Sequence, residues 1–258
     1  MKIYFASYAT HDAMGFYKNQ DSLAEQARIH GGVDEVIKCR GDDIKDFLDI
    51  ANDFIKAVEP PKYPRMHNAK YYVWKSYFIR DCLKKLNHGD VLIYHDAGRN
   101  CYPYKIECEL RTFCEYVVKN HKGIYVNFGP FCNRRFTKRE CFKVMNCDEE
   151  YYWDSRQANG SWGIYEKNDL AIKFVQEWYD YCMHPSMIVT DIENDTDTLP
   201  NYEAHRHDQS ILTNMLLKYA REHGVPLDPK LQGKLQKPHG WEKDMCLAIS
   251  NFKKSGLI

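Results

Sequence analysis

The run from Gly89 to Gly98 constrains the fold more than any other stretch, because it contains Val91-Leu92-Ile93-Tyr94. Four consecutive apolar, β-favouring residues between two glycines are typical of a strand that is covered on both faces of a sheet. Parallel sheets of α/β proteins contain such strands, since helices cover both of their faces. The run therefore predicts a short central strand.

Asp96 is the candidate functional residue of this run, because it directly follows the predicted strand. Open α/β sheets bind ligands at the carboxyl edge of their strands, so a carboxylate in this position is well placed to contact one. A structural role is the alternative, since an Asp at the start of a loop commonly accepts hydrogen bonds from backbone amides two residues further on. This stretch alone does not distinguish the two roles.

The helix predicted over residues 69–86 leads the chain into this strand. Its apolar stripe includes Tyr72, Ile79 and Leu83, and Lys75 lies on the same inward side because it is four residues before Ile79. A lysine in that position either extends its ammonium group along the apolar wall to solvent or points it into a cleft that holds an anion.

A second polar cluster, His205-Arg206-His207-Asp208, directly precedes a helix with a strong apolar face. Asp208 is three residues before Ile211 and so lies on the inward stripe, where an ionised carboxylate needs a partner. The alternative is that Asp208 is the N-cap of the helix. The two histidines and Asp208 are also a weak match to the metal ligands of a hydrolase.

Charge and cysteine content limit the possible partners and compartments. The 258 residues include 36 basic and 36 acidic ones, a balance that predicts no nucleic-acid partner. The ten cysteines form no C-x-x-C pair. The chain shows neither a secretion signal nor a stretch of about eighteen apolar residues. We therefore predict reduced thiols, no transmembrane segment and a cytoplasmic protein.

Six segments follow one another in an order that resembles a group of small glycosyltransferase-like proteins with the GT-A fold. The segments span about residues 68–222 and are Tyr72–Tyr77, Gly89–Gly98, Thr137–Arg139, Gln157–Asn159, Phe174–Trp178 and His205–Ile211. The resemblance implies an α/β fold in a GT-A-like single domain over residues 1–258, with a mostly parallel central sheet flanked by helices. Residues 1–126 would form the Rossmann-like nucleotide-sugar-binding half, and residues 127–258 the acceptor-binding half.

The resemblance also implies a nucleotide-sugar donor of the UDP or GDP type and a glycan or other hydroxyl acceptor. In such enzymes Mn²⁺ or Mg²⁺, held by the carboxylates of a D-x-D motif, usually stabilises the departing diphosphate. Here Tyr94-His95-Asp96 has one aspartate, with Tyr94 where the first would stand. Either His205 or His207 completes a metal site around Asp96, or Lys75 neutralises the diphosphate without a metal.

The remaining roles follow from the same resemblance. Donor binding is predicted for Lys75, His95, Asp96 and Gln157, while Trp162 either stacks on a sugar ring or packs in the core. Asp208 is the catalytic candidate, as a general base if the reaction inverts the anomeric carbon and as a group that orients the donor if it does not. The predicted function is a nucleotide-sugar-dependent glycosyltransferase, and the alternative is a catalytically inactive GT-A-like domain that binds a glycan or a protein.

Overall fold

A single sheet organises the fold of residues 1–11, 15–56, 70–97, 105–192, 197–227 and 245–258, which a computed structural model describes. Its strands have the order β2-β1-β3-β5-β4. Their bounds are β1 Ile3–Ala9, β2 Glu35–Arg40, β3 Val91–His95, β4 Ile124–Cys132 and β5 Arg156–Glu166. β1 pairs in parallel with β2 and β3, whereas β5 is antiparallel to β3 and β4. Four strands therefore run one way and β5 the other, which confirms the predicted α/β class with a mostly parallel sheet.

Helices flank the sheet on both faces. They are α1 Phe16–Ile29, α2 Lys45–Lys56, α3 Trp74–Lys85, α4 Arg111–Asn120, α5 Arg139–Val144, α6 Glu150–Trp153, α7 Asp169–Cys182, α8 His207–His223 and α9 Met245–Lys254. A 3₁₀ turn at Lys70–Tyr72 leads into α3. The predicted start of this helix at Ala69 lies outside the described residues.

Strand β3 is the centre of the sheet, and all of its residues are buried. Because successive side chains of a strand point to opposite faces, its two faces belong to two separate apolar clusters. Leu92 and Tyr94 belong to the cluster that contains residues of α3, α7 and α8. Val91 and Ile93 belong to the other cluster, with residues of α4 and α9. The alternation directs Tyr94 and Asp96 towards α3, and His95 away from it.

Helix α7 packs against both α3 and α8, and α8 also packs on β5. This layer brings the start of α3 and the start of α8 to the end of β3. The boundary expected between residues 126 and 127 falls within β4, and strands from both sides of it share the one sheet. Residues from the two predicted halves can therefore meet at a single strand end.

The prediction that all cysteines are reduced is wrong, because a disulfide joins Cys108 to Cys246. Helix α9 packs on the second apolar cluster through Met245, Ile249 and Phe252. This packing brings the two cysteines to a Cα–Cα distance of 5.5 Å although they are 138 residues apart, so sequence spacing gave no sign of the pair. A disulfide is typical of an oxidising compartment, which removes the basis for the cytoplasmic assignment. In the described part of the chain, no helix is long and apolar enough to span a bilayer.

Candidate active site at the end of strand β3

Lys75 joins the two predicted functional carboxylates. It lies in the first turn of α3 with only 6% of its surface exposed. Its Nζ is 3.2 Å from Oδ1 of Asp96 and 3.7 Å from Oδ2 of Asp208, and it donates a 2.8 Å hydrogen bond to the Gly160 carbonyl. The side chain therefore points into the site, and extension along the apolar wall to solvent is wrong.

The charge of Lys75 depends on its two partners. Burial alone lowers the pKa of the ammonium group, but the carboxylates of Asp96 and Asp208 outweigh burial and raise the pKa above its ordinary value. The lysine is therefore protonated at neutral pH. Because a buried cation is stable only when it is paired and hydrogen-bonded, Lys75 fixes both carboxylates relative to each other.

Tyr94 holds Asp96 from the strand itself. Its hydroxyl group donates a 2.5 Å hydrogen bond to Oδ1 of Asp96, and the Asp96 amide donates a 2.7 Å bond to the Ser161 carbonyl. Burial and the neighbouring Asp96 carboxylate raise the pKa of Tyr94 well above its ordinary value, so the hydroxyl keeps its proton. The alternative role of Asp96 is to accept a hydrogen bond from the backbone amide of Gly98. Gly98 lies outside the described residues.

Asp208 reaches the same point from the second half of the chain. It is 3% exposed and lies in the first turn of α8, whose N-cap is Arg206, so the N-cap assignment for Asp208 is wrong. Trp178 of α7 donates a 3.2 Å hydrogen bond from Nε1 to the Asp208 carbonyl. Burial raises the pKa of the Asp208 carboxyl to about 7, with Lys75 opposing the rise and Asp96 reinforcing it. Such a pKa suits a group that exchanges a proton at neutral pH.

His205 and His207 are buried, and the backbone holds both rings. Nδ1 of His205 accepts a 3.2 Å hydrogen bond from the Lys138 amide, and Nδ1 of His207 lies 3.0 Å from the Val189 carbonyl, to which it donates. Burial lowers the pKa of each imidazole below its ordinary value, well below for His205, so both rings are neutral at pH 7. A neutral His205 that accepts at Nδ1 carries its proton on Nε2 and has no lone pair left for a metal.

Among the described residues, the side chains of Asp96, His205 and His207 do not come together as the ligand set predicted for Mn²⁺ or Mg²⁺. The Asp96 oxygen that Lys75 and Tyr94 contact is already occupied, and the tautomer of His205 removes a second ligand. Among the described residues, no three His, Cys, Asp or Glu side chains converge as a ligand set. The ammonium group of Lys75 is the cation that contacts Asp96 in this structure.

The other predicted residues lie around this centre in different ways. His95 points to the opposite face of the sheet, where it is 1% exposed and its ring is 6.2 Å from that of Phe5. Trp162 is 1% exposed within the second apolar cluster, so the core assignment is correct and stacking on a sugar is wrong. Gln157 is buried and donates to the Phe136 carbonyl at 3.2 Å. The structure thus groups Lys75, Asp96 and Asp208, places Gln157 near α8 and separates His95.

A cleft opens beside this centre between the ends of β4 and β5 and the start of α8. Main chain around Gly129 and the side chains of Phe131, Gln157, Asn159, Arg206 and Gln209 line it. Its empty volume is about 260 Å³, including the space open to solvent. The cleft is a shallow indentation in the surface next to the start of α8.

Sequence reasoning missed Tyr94 and Gly160 as parts of the site. Tyr94 stands where the first aspartate of a D-x-D motif would be, but no contact with Asp96 is predicted for it. Its position two residues before Asp96, on the same face of the strand, could have indicated that contact. Gly160 contributes only its carbonyl group to Lys75. No side-chain pattern could have indicated that contact.

Comparisons with known proteins assign no function to this site. No protein family and no curated protein matches the chain. Among solved structures, the chain is similar to the apo form of mouse xyloside xylosyltransferase 1. The TM-score is 0.45 and the identity 12%, over 88% of this chain and 84% of that one. A likeness at this level carries no conclusion about function.

Proposed function

We propose that this protein is a glycosyltransferase that moves a sugar from a nucleotide-sugar donor to a hydroxyl group of a glycan. The observation that carries the proposal is the buried contact of Lys75 with Asp96, at the carboxyl end of β3, and Asp208, at the start of α8. That edge of a mostly parallel sheet is where α/β proteins bind nucleotides. The resemblance of the six segments to small GT-A glycosyltransferases supports the same function.

The proposed transfer uses Asp208 as the proton acceptor. The acceptor oxygen forms a bond to the anomeric carbon, while the bond from that carbon to the diphosphate oxygen breaks and its electron pair leaves with the diphosphate. Asp208, with a pKa of about 7, takes the proton of the acceptor hydroxyl group. If the product retains the anomeric configuration, Asp208 orients the donor instead, and the configuration of the product distinguishes the two roles.

Lys75 and Asp96 form the donor side of the proposed site, where a UDP- or GDP-type diphosphate binds. When Asp208 takes its proton, Lys75 faces one ionised carboxylate instead of two. Its positive charge is then less compensated at the moment when negative charge builds on the diphosphate, which stabilises the departing group. No step of this reaction is assigned to Mn²⁺ or Mg²⁺.

A donor panel tests the proposal. UDP- and GDP-sugars are incubated with the protein, once with Mn²⁺ and once with EDTA, and hydrolysis and transfer are measured. We expect turnover of at least one donor and a loss of roughly 100-fold or more in Asp208→Asn, in line with the usual contribution of a general base. Asp81→Asn, at a partly exposed position of α3 away from the site, is the matched control and should retain activity. Inactivity across the panel, with no nucleotide binding by calorimetry, would overturn the proposal.

A catalytically inactive domain that binds a glycan is the second candidate. Tyr94, in place of the first acidic residue of the metal motif, favours it, because its hydroxyl group occupies an oxygen of Asp96. This candidate predicts glycan binding that survives Asp96→Ala and no donor turnover. The donor panel therefore separates the two functions.

A further inference from the structure

The backbone is left-handed directly before two of the residues that form the candidate site. The three residues Lys70–Tyr72 have φ angles between 47° and 60°, and they lead into the helix that carries Lys75. His207, the residue before Asp208, has a φ of 53°. Residues with a side chain rarely adopt this region, because their Cβ atom then comes too close to a carbonyl oxygen. The surrounding structure must therefore enforce both conformations.

The two left-handed segments pack on each other. The turn at Lys70–Tyr72 contacts α8. Tyr71 is fully buried, and the centre of its ring lies 5.2 Å from that of His207. The ring of Tyr72 lies 6.3 Å from the same imidazole. Both distances are typical of favourable contacts between aromatic rings. Each segment therefore supports the conformation of the other.

Tyr72 connects this packing to the ammonium group of Lys75. Nζ of Lys75 lies 5.9 Å from the centre of the Tyr72 ring, a distance at which an aromatic ring attracts a cation. The Tyr72 ring is thus a neighbour of both Lys75 and His207. Because His207 directly precedes Asp208, a continuous series of contacts joins the two ends of the Lys75–Asp208 ion pair.

The segment before α8 restrains His207 from another side. Nδ1 of His207 donates a 3.0 Å hydrogen bond to the Val189 carbonyl, and only 6% of the residue is exposed. The carboxylate of Asp191 acts electrostatically on both His207 and Tyr71. The imidazole ring therefore has little freedom to turn, and the backbone that carries it is restrained as well.

A role in stability alone is the alternative for these contacts, since Tyr71 and His207 are buried and would stabilise any fold that buried them. The positions of the left-handed residues argue against it. Strained backbone is retained mainly where function needs a fixed geometry, and here it lies immediately before the helix of Lys75 and immediately before Asp208. The contact between these two side chains, at 3.7 Å, is too long to fix their geometry by itself.

We propose that Tyr71 and His207 are positioning residues, whose ring contact holds the ammonium group of Lys75 against the carboxylate of Asp208. Tyr72 transmits the constraint to Lys75, and the backbone of His207 transmits it to Asp208. The inference goes beyond the proposed function, because it concerns the geometry of the ion pair and holds for any reaction that the pair serves.

The titration of Asp208 tests this proposal without a substrate. Lys75 opposes the rise in the pKa of Asp208 that burial causes, so a looser contact should raise this pKa further. The full chain is labelled with ¹³C at its aspartate carboxyl groups, and the NMR signal of Asp208 is identified by its loss in Asp208→Asn. Tyr71→Leu and His207→Asn should each raise the pKa of Asp208 by about one pH unit, the low end for loss of a nearby opposite charge.

His207→Asn is the more specific of the two variants. Asparagine tolerates a left-handed backbone, and its amide can donate to the Val189 carbonyl in place of Nδ1. The variant therefore removes the ring and keeps the other interactions, and it decides alone if Tyr71→Leu does not fold. Tyr71→Phe keeps the ring contact and should leave the pKa of Asp208 unchanged.

Tyr219→Leu is the matched control. It breaks another buried ring contact of α8, that of Tyr219 with Phe174 at 5.0 Å, near the other end of the helix. It should lower the free energy of unfolding and leave the pKa of Asp208 unchanged. A role in stability alone predicts this same result for His207→Asn. An unchanged pKa of Asp208 in His207→Asn, or an equal rise in Tyr219→Leu, would overturn the inference.

Turnover separates this inference from the proposed function. If the pKa of Asp208 rises in His207→Asn but the wild type turns over no donor, the positioning inference holds and the transferase proposal fails. If a donor is turned over but the pKa of Asp208 does not rise in His207→Asn, the positioning inference fails and the transferase proposal holds. If both are correct, the rise of kcat/KM with pH should move to higher pH in His207→Asn by the same amount as the pKa.

Discussion

Lys75 is the residue on which the candidate site depends. It is a buried cation whose partners come from a strand end and from a helix more than 100 residues further along the chain. Loss of one member of a buried ion pair leaves the remaining charge without compensation, which costs more than the pair itself contributes. The residue therefore links the stability of the fold to the electrostatics of the site.

Replacement of Lys75 by methionine tests this dependence. Lys75→Met should lower the free energy of unfolding by about 3 kcal/mol, the low end for a broken buried pair, because Asp208 can take up a proton in response. Donor turnover should fall at least as far as in Asp208→Asn. Urea unfolding and the donor assay measure the two effects.

Lys85→Met is the control for Lys75→Met. Lys85 lies on the same helix and pairs with Asp81, but its side chain is 70% exposed. Solvent-exposed ion pairs contribute little to stability, so Lys85→Met should change the free energy of unfolding by less than about 1 kcal/mol. Equal destabilisation by the two substitutions would contradict the role assigned to Lys75.

The raised pKa of Asp208 predicts the pH dependence of the reaction. A general base must be ionised, so kcat/KM should rise about tenfold per pH unit below pH 7 and level off above it, following a pKa of about 7. The rise of kcat/KM with pH should disappear in Asp208→Asn, whose residual rate should not vary with pH below 7. A wild-type rate that falls as the pH rises from 5 to 7 would contradict the assignment.

The raised pKa of Asp208 also affects stability, which should fall as the pH rises, whereas activity should rise. The folded state holds a proton on Asp208 over the range in which an ordinary Asp, with a pKa of 3.8, has lost it. The contribution of this residue to the free energy of unfolding should therefore decrease as the pH rises from about 4 to about 7. The slope of unfolding free energy against pH, compared between wild type and Asp208→Asn, measures it.

At the scale of elements, the packing of α7 on α8 positions Asp208. Trp178 is fully buried and donates to the Asp208 carbonyl, so it fixes the first turn of α8 from the neighbouring helix. Its role is positioning, since its indole group contacts the backbone of Asp208.

Trp178→Phe should remove this hydrogen bond and leave a small cavity. We expect a loss of about 2 kcal/mol in unfolding free energy and a fall in kcat with unchanged donor KM. Trp153→Phe is the control, because Trp153 donates to Asp148 away from the site; it should leave kcat unchanged. A rise in donor KM without a change in kcat would contradict the positioning role.

The elements of the site were predictable from local patterns, and their contacts only in part. The apolar run gave strand β3 as Val91–Tyr94, one residue shorter than observed, and helical spacing placed Lys75 and Asp208 on inward faces. Periodicity identifies a buried face but not the partner across it. The contact of Lys75 with Gly160 and the tautomer of His205 depend on tertiary packing, so no sequence pattern could predict them.

At the scale of the whole molecule, the Cys108–Cys246 disulfide ties α9 to the segment before α4. Its loop is long, so the bond restricts the unfolded chain substantially. The double variant Cys108→Ser/Cys246→Ser should lose about 2–4 kcal/mol of unfolding free energy. Dithiothreitol should destabilise the wild type by a similar amount and leave the variant unchanged. A wild-type protein that is insensitive to dithiothreitol would contradict the presence of the bond.

The architecture explains why residues of both chain halves meet at one strand end. Antiparallel β5 lies between β3 and β4, and α8 packs on it, so the second half of the chain carries Asp208 to the edge where the first half carries Asp96. The site therefore requires the complete sheet, and neither half contains it alone.

A crystal structure of the protein with a bound UDP- or GDP-sugar tests the proposed site most directly. We expect the diphosphate to lie against Asp96 and Lys75, with the anomeric carbon facing Asp208. A nucleotide bound at another surface, or a sugar directed away from Asp208, would contradict the assignment of this site to glycosyl transfer.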